Sequence, residues 1–162
     1  MTQRPKEGRL WRWLASLGVG LLPGPQGTYG SLMVAGLAWV WLVLGGAPLA
    51  GPQYWLALTG LCLLALGASA LALRARCFGP GDDPGQIVID EAAGMLLALH
   101  GQAAAGWRLL AAFAAFRLFD ILKPWPVGWS QRLPGAWGVV ADDLLAGLYS
   151  LLALGLLDLL TA

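Results

Sequence analysis

The sequence predicts an all-α protein: a polytopic membrane bundle of about five short transmembrane or half-buried helices, preceded by an N-terminal interfacial helix. Three observations carry this. Hydrophobic residues make up 58% of the 162 positions and charged residues only 12%, against roughly 45–50% and 25% in soluble domains. Mean hydropathy is +0.67. No charged residue occurs between Trp13 and Leu73. A net charge of +1 leaves no basic field for nucleic acid.

Residues 1–22 form a first unit. Arg4, Lys6, Arg9 and Arg12 precede an apolar stretch broken by Gly18 and Gly20. No small-residue cleavage site follows, so this is no signal peptide. Leu10 to Leu22 reads as a helix lying in the membrane interface. Residues 23–162 form the second unit, a single helical membrane domain.

Within it, breakers divide the long uncharged run. A bilayer core about 30 Å thick takes roughly 20 residues of helix. Pro23 to Gln26 ends the first stretch, and Gly45-Gly46-Ala47-Pro48 with Gly51-Pro52 divides the rest. This gives spans at Ser31–Leu44 and Tyr54–Leu73. Ile87–His100 and Trp107–Leu122 follow, flanking the turn Gly101–Gly106; both are short and suit a tilted or half-buried hairpin. Val139–Leu160 is the last. With the N-terminus cytoplasmic, alternation puts every Lys and Arg except Arg108 at cytoplasmic ends, as the positive-inside rule requires. Trp125, Trp129 and Trp137 then read as interface anchors.

The scarce acids cluster. All but Glu7 and Asp158 of the nine fall at helix ends on that cytoplasmic side. Asp82-Asp83 and Asp90-Glu91 stand at the start of the helix over 87–100. Asp120 ends the next helix, and Asp142-Asp143 are placed in the first turn of the last. One acid at a helix start is ordinary capping; doublets in so apolar a chain are not. Carboxylates near membrane depth mark function, and acids from three helices suit a hard cation such as Mg2+. Asp90, Glu91, Asp120, Asp142 and Asp143 are the candidate ligands. Asp143, Gly147 and Ser150 share a helix face, as do Asp90 and Gly94, so these helices can approach closely.

Phosphate-binding candidates accompany the acids. Arg117 and Lys123 flank Asp120 on the same rim, and guanidinium grips phosphate bidentately. The segment Gly24–Ser31 precedes a helix. Its backbone N–H groups and the hydroxyls of Thr28 and Ser31 make a phosphate cradle. Catalysis is expected from Asp90, Asp142 and Lys123, with metal-activated water or a carboxylate as nucleophile.

Other chemistries fit less well. One histidine, His100, cannot serve a paired-histidine phosphatase, and Cys62 and Cys77 make no cysteine-phosphatase loop, zinc site or disulfide framework. A nucleotide-dependent alcohol phosphotransferase would carry its acids on one long helix. A cation or proton carrier, the non-enzymatic alternative, would place them near mid-span.

Four ordered strings carry a family resemblance: Gly27-Thr-Tyr-Gly-Ser-Leu32, Ile87-Val-Ile-Asp-Glu91 with Gly94, Phe116-Arg-Leu-Phe-Asp-Ile-Leu-Lys-Pro-Trp-Pro126, and Asp142-Asp-Leu-Leu-Ala-Gly147. Together, over about residues 22 to 150, the chain resembles phosphatidylglycerophosphatase A. The resemblance implies a magnesium-dependent enzyme of the bacterial inner membrane. Its substrate would be phosphatidylglycerophosphate, hydrolysed to phosphatidylglycerol and phosphate, with the acids and Lys123 functional. In one place the chain departs from the family. Ser130-Gln131-Arg132 stands where the family usually carries an acid before the arginine, so no acidic role passes to position 131. Oligomeric state is not read from the sequence.

Overall fold

The computed structural model describes residues 6–78, 84–102 and 106–161; Asp82 and Asp83 lie outside them. The described residues form α-helices and no strand: α1 Lys6–Ser16, α2 Gln26–Val43, α3 Pro52–Arg74, α4 Ile89–Ala98, α5 Gly106–Leu122, α6 Val127–Ser130 and α7 Ala136–Thr161. Short 3-10 turns occupy Val19–Leu21 and Pro84–Gln86.

Helix α1 begins before the expected Leu10 and stops at Ser16, because Leu17 and Gly18 take positive φ (48° and 75°). Trp11 and Leu14 pack toward α3, while Leu10 and Trp13 are exposed. A backbone bond from Val88 N to Ala15 O (2.9 Å) ties α1 to the entry of α4. Helix α2 starts at Gln26 rather than Ser31, so most of the expected glycine loop is helix. Helix α3 starts on Pro52, whose fixed φ and missing N–H suit a first turn.

Helix α4 organises the bundle. Ile89, Asp90, Ala92, Ala93, Gly94, Met95 and Ala98 are all buried, and Glu91, Leu96 and Leu97 are half-buried. Its 10 residues span about 15 Å, half of a hydrocarbon core. It packs against α2, α3, α5 and α7. Its crossing with α7 is backbone on backbone. A Cβ on Gly147 would run into the Gly94 carbonyl oxygen, and one on Gly94 into the Asp143 carbonyl oxygen.

Two helices, α3 and α7, are long and apolar enough to cross a membrane. Both turn large side chains outward, including Leu56, Leu63, Leu152, Leu156 and Leu159. The expected set of about five spanning or half-buried helices therefore contains two of spanning length, with α2 and α5 shorter beside them. Trp125, Trp129 and Trp137 are all exposed near one end of the bundle. Helix α6, absent from the sequence reading, is a single turn after the Lys123-Pro-Trp-Pro corner.

Candidate active site

Four pieces of chain bring the predicted acids together. The first turn of α4 supplies Asp90 and Glu91. The end of α5 supplies Arg117 and Asp120, and the corner after it Lys123. Helix α7 supplies Asp142 and Asp143. Because α7 begins at Ala136, these two are its seventh and eighth residues, not part of its first turn as the sequence suggested. Helix capping therefore does not account for them.

The carboxylates line a cavity of about 310 Å³. Asp90, Asp142 and Asp143 are almost fully buried, at 4%, 5% and 4% exposure. Asp90, Glu91 and Asp143 each offer an oxygen within 4.8 Å of the others. Glu91 Oε2 and Asp142 Oδ1 are buried without a hydrogen-bond partner. Packed oxygens of like charge, part of them unsatisfied, repel one another and carry a desolvation cost. A hard divalent cation relieves both, and an all-oxygen donor set suits magnesium. The residues fit such an ion.

The doublets divide their work. Asp143 joins Asp90 and Glu91, whereas Asp142 turns to basic and amide donors. Lys123 Nζ donates to Asp142 Oδ2 at 2.6 Å and lies 3.8 Å from Asp120 Oδ1. Gln131 Nε2 donates to the same Asp142 oxygen at 2.8 Å. Sequence reasoning missed Gln131 as a site residue; an amide can donate where an acid would oppose Asp142. The approach depends on Gly138, since a Cβ there would collide with the carbonyls of Leu133 and Gln131.

Lys123 itself holds a left-handed backbone, φ 45°, which costs a non-glycine residue about 1–2 kcal/mol. A tertiary contact ties down the corner beside it: Tyr149 Oη on α7 donates to the Trp125 carbonyl at 2.9 Å. Partial burial pulls the ammonium pKa down. The bond to Asp142 and the charges of Asp142, Asp120 and Asp143 outweigh this and leave it raised above 10.5.

Arg117 Nη1 lies 2.6 Å from Asp120 Oδ2, yet Nη1 and Nε are buried without an aligned hydrogen-bond acceptor. Gly27 of α2 packs over this group. A Cβ there would meet Glu91 Oε1 and come within 3.2 Å of Arg117 Nη1. So the glycine segment does reach the site, through its backbone. Thr28 is half-buried. Ser31 is fully buried, and its hydroxyl donates to Gly27 O at 2.7 Å. Of the expected phosphate binders Thr28, Ser31, Arg117 and Lys123, only Lys123 is among the residues lining the carboxylate cavity. His100 stands apart, its ring against Tyr54 and Trp55.

Comparison with known proteins points the same way. The family described as Phosphatidylglycerophosphatase A matches residues 13–158. The chain is 36% identical over 137 residues to the Haemophilus influenzae protein of that name, covering 83% of this chain and 80% of the relative. It is 33% identical over 150 residues to the Escherichia coli protein of that name, covering 91% and 83%. A Bacteroides thetaiotaomicron protein named, provisionally, as a phosphatidylinositol-3-phosphatase is 35% identical over 136 residues, covering 82% and 83%. No solved structure is significantly similar.

Proposed function

The chain belongs to the phosphatidylglycerophosphatase A family, and from that premise we propose that it is a magnesium-dependent lipid phosphatase acting on phosphatidylglycerophosphate. It releases phosphatidylglycerol and inorganic phosphate at the cytoplasmic face of a bacterial inner membrane. The observation that carries this reading is the buried oxygen cluster of Asp90, Glu91 and Asp143, set beside the Lys123–Asp142 pair in one cavity.

Asp90, Glu91 and Asp143 would hold the cation, with Asp120 completing the set directly or through water and Asp142 through water alone. A divalent ion held by these residues would supply positive charge toward the phosphoryl oxygens and would make water a better nucleophile. The chain supplies the rest. Lys123 lines the cavity and presents a fixed cation where charge on the transferring phosphoryl group is stabilised without reorganisation, and Arg117 stands behind it through Asp120. Asp142 orients Lys123 through Oδ2, and its unpartnered Oδ1 is available to take the proton of the attacking water. Water oxygen bonds to phosphorus as the ester P–O bond breaks; the glycerol oxygen leaves and takes a proton from solvent, and Asp142 returns the proton it accepted to solvent. A base-labile phosphate trapped on a carboxylate would overturn this water route in favour of an aspartyl-phosphate.

Orientation rests on charge. Arg74 ends α3 and Arg76 follows it, and Lys123 and Arg132 flank α6, so these cations crowd the end of the bundle that holds the cavity. Helix α1, with Leu10 and Trp13 exposed, is assigned to the interface at this end.

The test is phosphate release from phosphatidylglycerophosphate in detergent micelles, with and without magnesium, for wild type and Asp143→Ala. The reading expects release that needs magnesium and collapses in the variant. Folded, magnesium-supplied wild type that releases none would overturn the substrate assignment.

A further inference from the structure

A second pocket, of about 320 Å³, adjoins the carboxylate cavity. It lies between the end of α3 and the turn entering α7. Leu66, Ala70 and Leu73 form an apolar wall, and Arg74 follows them at the last turn of α3. Trp137, 60% exposed, stands on the other side. Gly135 lines both pockets, and a Cβ built on it meets nothing within 4 Å. Gly135 therefore borders both, and it presents no side chain to either. Among the described residues Arg74 makes no ion pair with a carboxylate.

We propose that this pocket holds the uncleaved phosphodiester of the lipid substrate, with the Arg74 guanidinium as its counter-ion. The proposal rests on the phosphatase reading above and names a subsite of it. Phosphatidylglycerophosphate carries two anions. Its monoester is cleaved; its diester, one glycerol away, joins the headgroup to the diacylglycerol. A protein that places the monoester among the carboxylates needs a cation one glycerol outward, where apolar surface begins. Arg74 is the cation of the pocket that shares Gly135 with the carboxylate cavity. Residues 66, 70 and 74 follow one another at helical i, i+4 spacing, so one stripe of α3 runs from apolar side chains to a cation. That is the order of an amphiphile, chains in the bilayer and phosphate at its surface. A guanidinium pairs with a phosphodiester through two parallel N–H bonds.

Arg74 also suits a helix C-terminus and the positive-inside rule. Neither role discriminates between ligands, so substrate specificity separates them from the proposal. Arg74 is exposed, and its replacement leaves the core intact.

The first measurement is binding of short-chain phosphatidylglycerol, which has the diester but no cleavable phosphate, to full-length wild type, Arg74→Gln and Arg74→Lys in detergent. Binding should weaken by about tenfold or more in Arg74→Gln, the worth of a charge-assisted pair, and less in Arg74→Lys. The second is kinetics on phosphatidylglycerophosphate: KM should rise similarly in Arg74→Gln while kcat stays within about twofold. Ala70→Phe, which fills the pocket and keeps the charge, should reproduce the weaker binding. Equal binding by wild type and Arg74→Gln, or a loss of kcat with KM unchanged, overturns the subsite. Arg74-dependent binding without phosphate release by wild type would sink the phosphatase reading and leave the subsite standing. Release that is indifferent to Arg74 does the reverse.

Discussion

Lys123 Nζ stands 2.6 Å from Asp142 Oδ2, a contact that joins the corner after α5 to the second turn of α7. It places a fixed cation beside the Asp90–Glu91–Asp143 cluster and costs the chain a left-handed lysine backbone. Removing the ammonium leaves Asp142 buried with Gln131 as its remaining partner. Lys123→Met should lower phosphate release by about 10²–10³-fold, the usual cost of losing a charge-stabilising donor. Lys123→Arg should recover part of it. Steady-state kinetics checks both, and wild-type rates in Lys123→Met would remove Lys123 from the mechanism.

The same pair bears on pH. Because the folded-state pKa of Lys123 is raised, its contribution to stability is complete below the ordinary lysine range. It is lost only as pH climbs through the raised value. Lys123 should therefore stay charged across the working range. pH–rate profiles of wild type and Lys123→Arg should have the same shape up to about pH 9. An alkaline fall in wild type that Lys123→Arg lacks would contradict the assignment.

Gly27→Ala tests the packing of α2 over the site. The added methyl meets the Glu91 carboxylate and approaches the Arg117 guanidinium, both movable side-chain ends, so the fold should survive. Activity should drop by about 10–100-fold, because small displacements of positioned groups are costly to catalysis. The thermal midpoint should change little. A large fall in stability with normal activity per folded molecule would contradict this.

Gly147→Ala is the converse case. Its methyl would strike the Gly94 backbone, which cannot swing aside, so α4 and α7 must separate. A loss of about 1–3 kcal/mol is expected for such overpacking, read as a lower midpoint in detergent. Gly36→Ala, whose methyl meets nothing within 4 Å, should be neutral or slightly stabilising. Equal midpoints for the two variants would refute the close helix crossing.

Much of the site was legible because acids in an apolar chain are costly unless used. That reasoning reached Asp90, Glu91, Asp120, Asp142, Asp143, Arg117 and Lys123 without coordinates, and the pairing of small residues with Asp90 and Asp143 anticipated the α4–α7 crossing. It did not reach Gln131, whose amide becomes relevant only when Gly138 lets the turn fold against α7. It also read the segment 24–31 as a loop with usable hydroxyls. Glycine there permits close backbone approach in a helix as well as in a turn, and sequence cannot distinguish the two.

Composition, breakers and charge placement pointed, without any coordinates, to a helical chain, to one end shared by most of its acids and cations, and to phosphate chemistry as the reading to test. These follow from local properties: helical periodicity, the cost of ionised groups in apolar surroundings, and the family strings. Tertiary structure decided which acid does what. Neighbours such as Asp142 and Asp143 differ by about 100° around their helix, so one faces Lys123 and Gln131 and the other faces Asp90 and Glu91. Which direction meets which partner is set by how closely α4 and α7 pack, and that distance is decided where Gly94 and Gly147 meet.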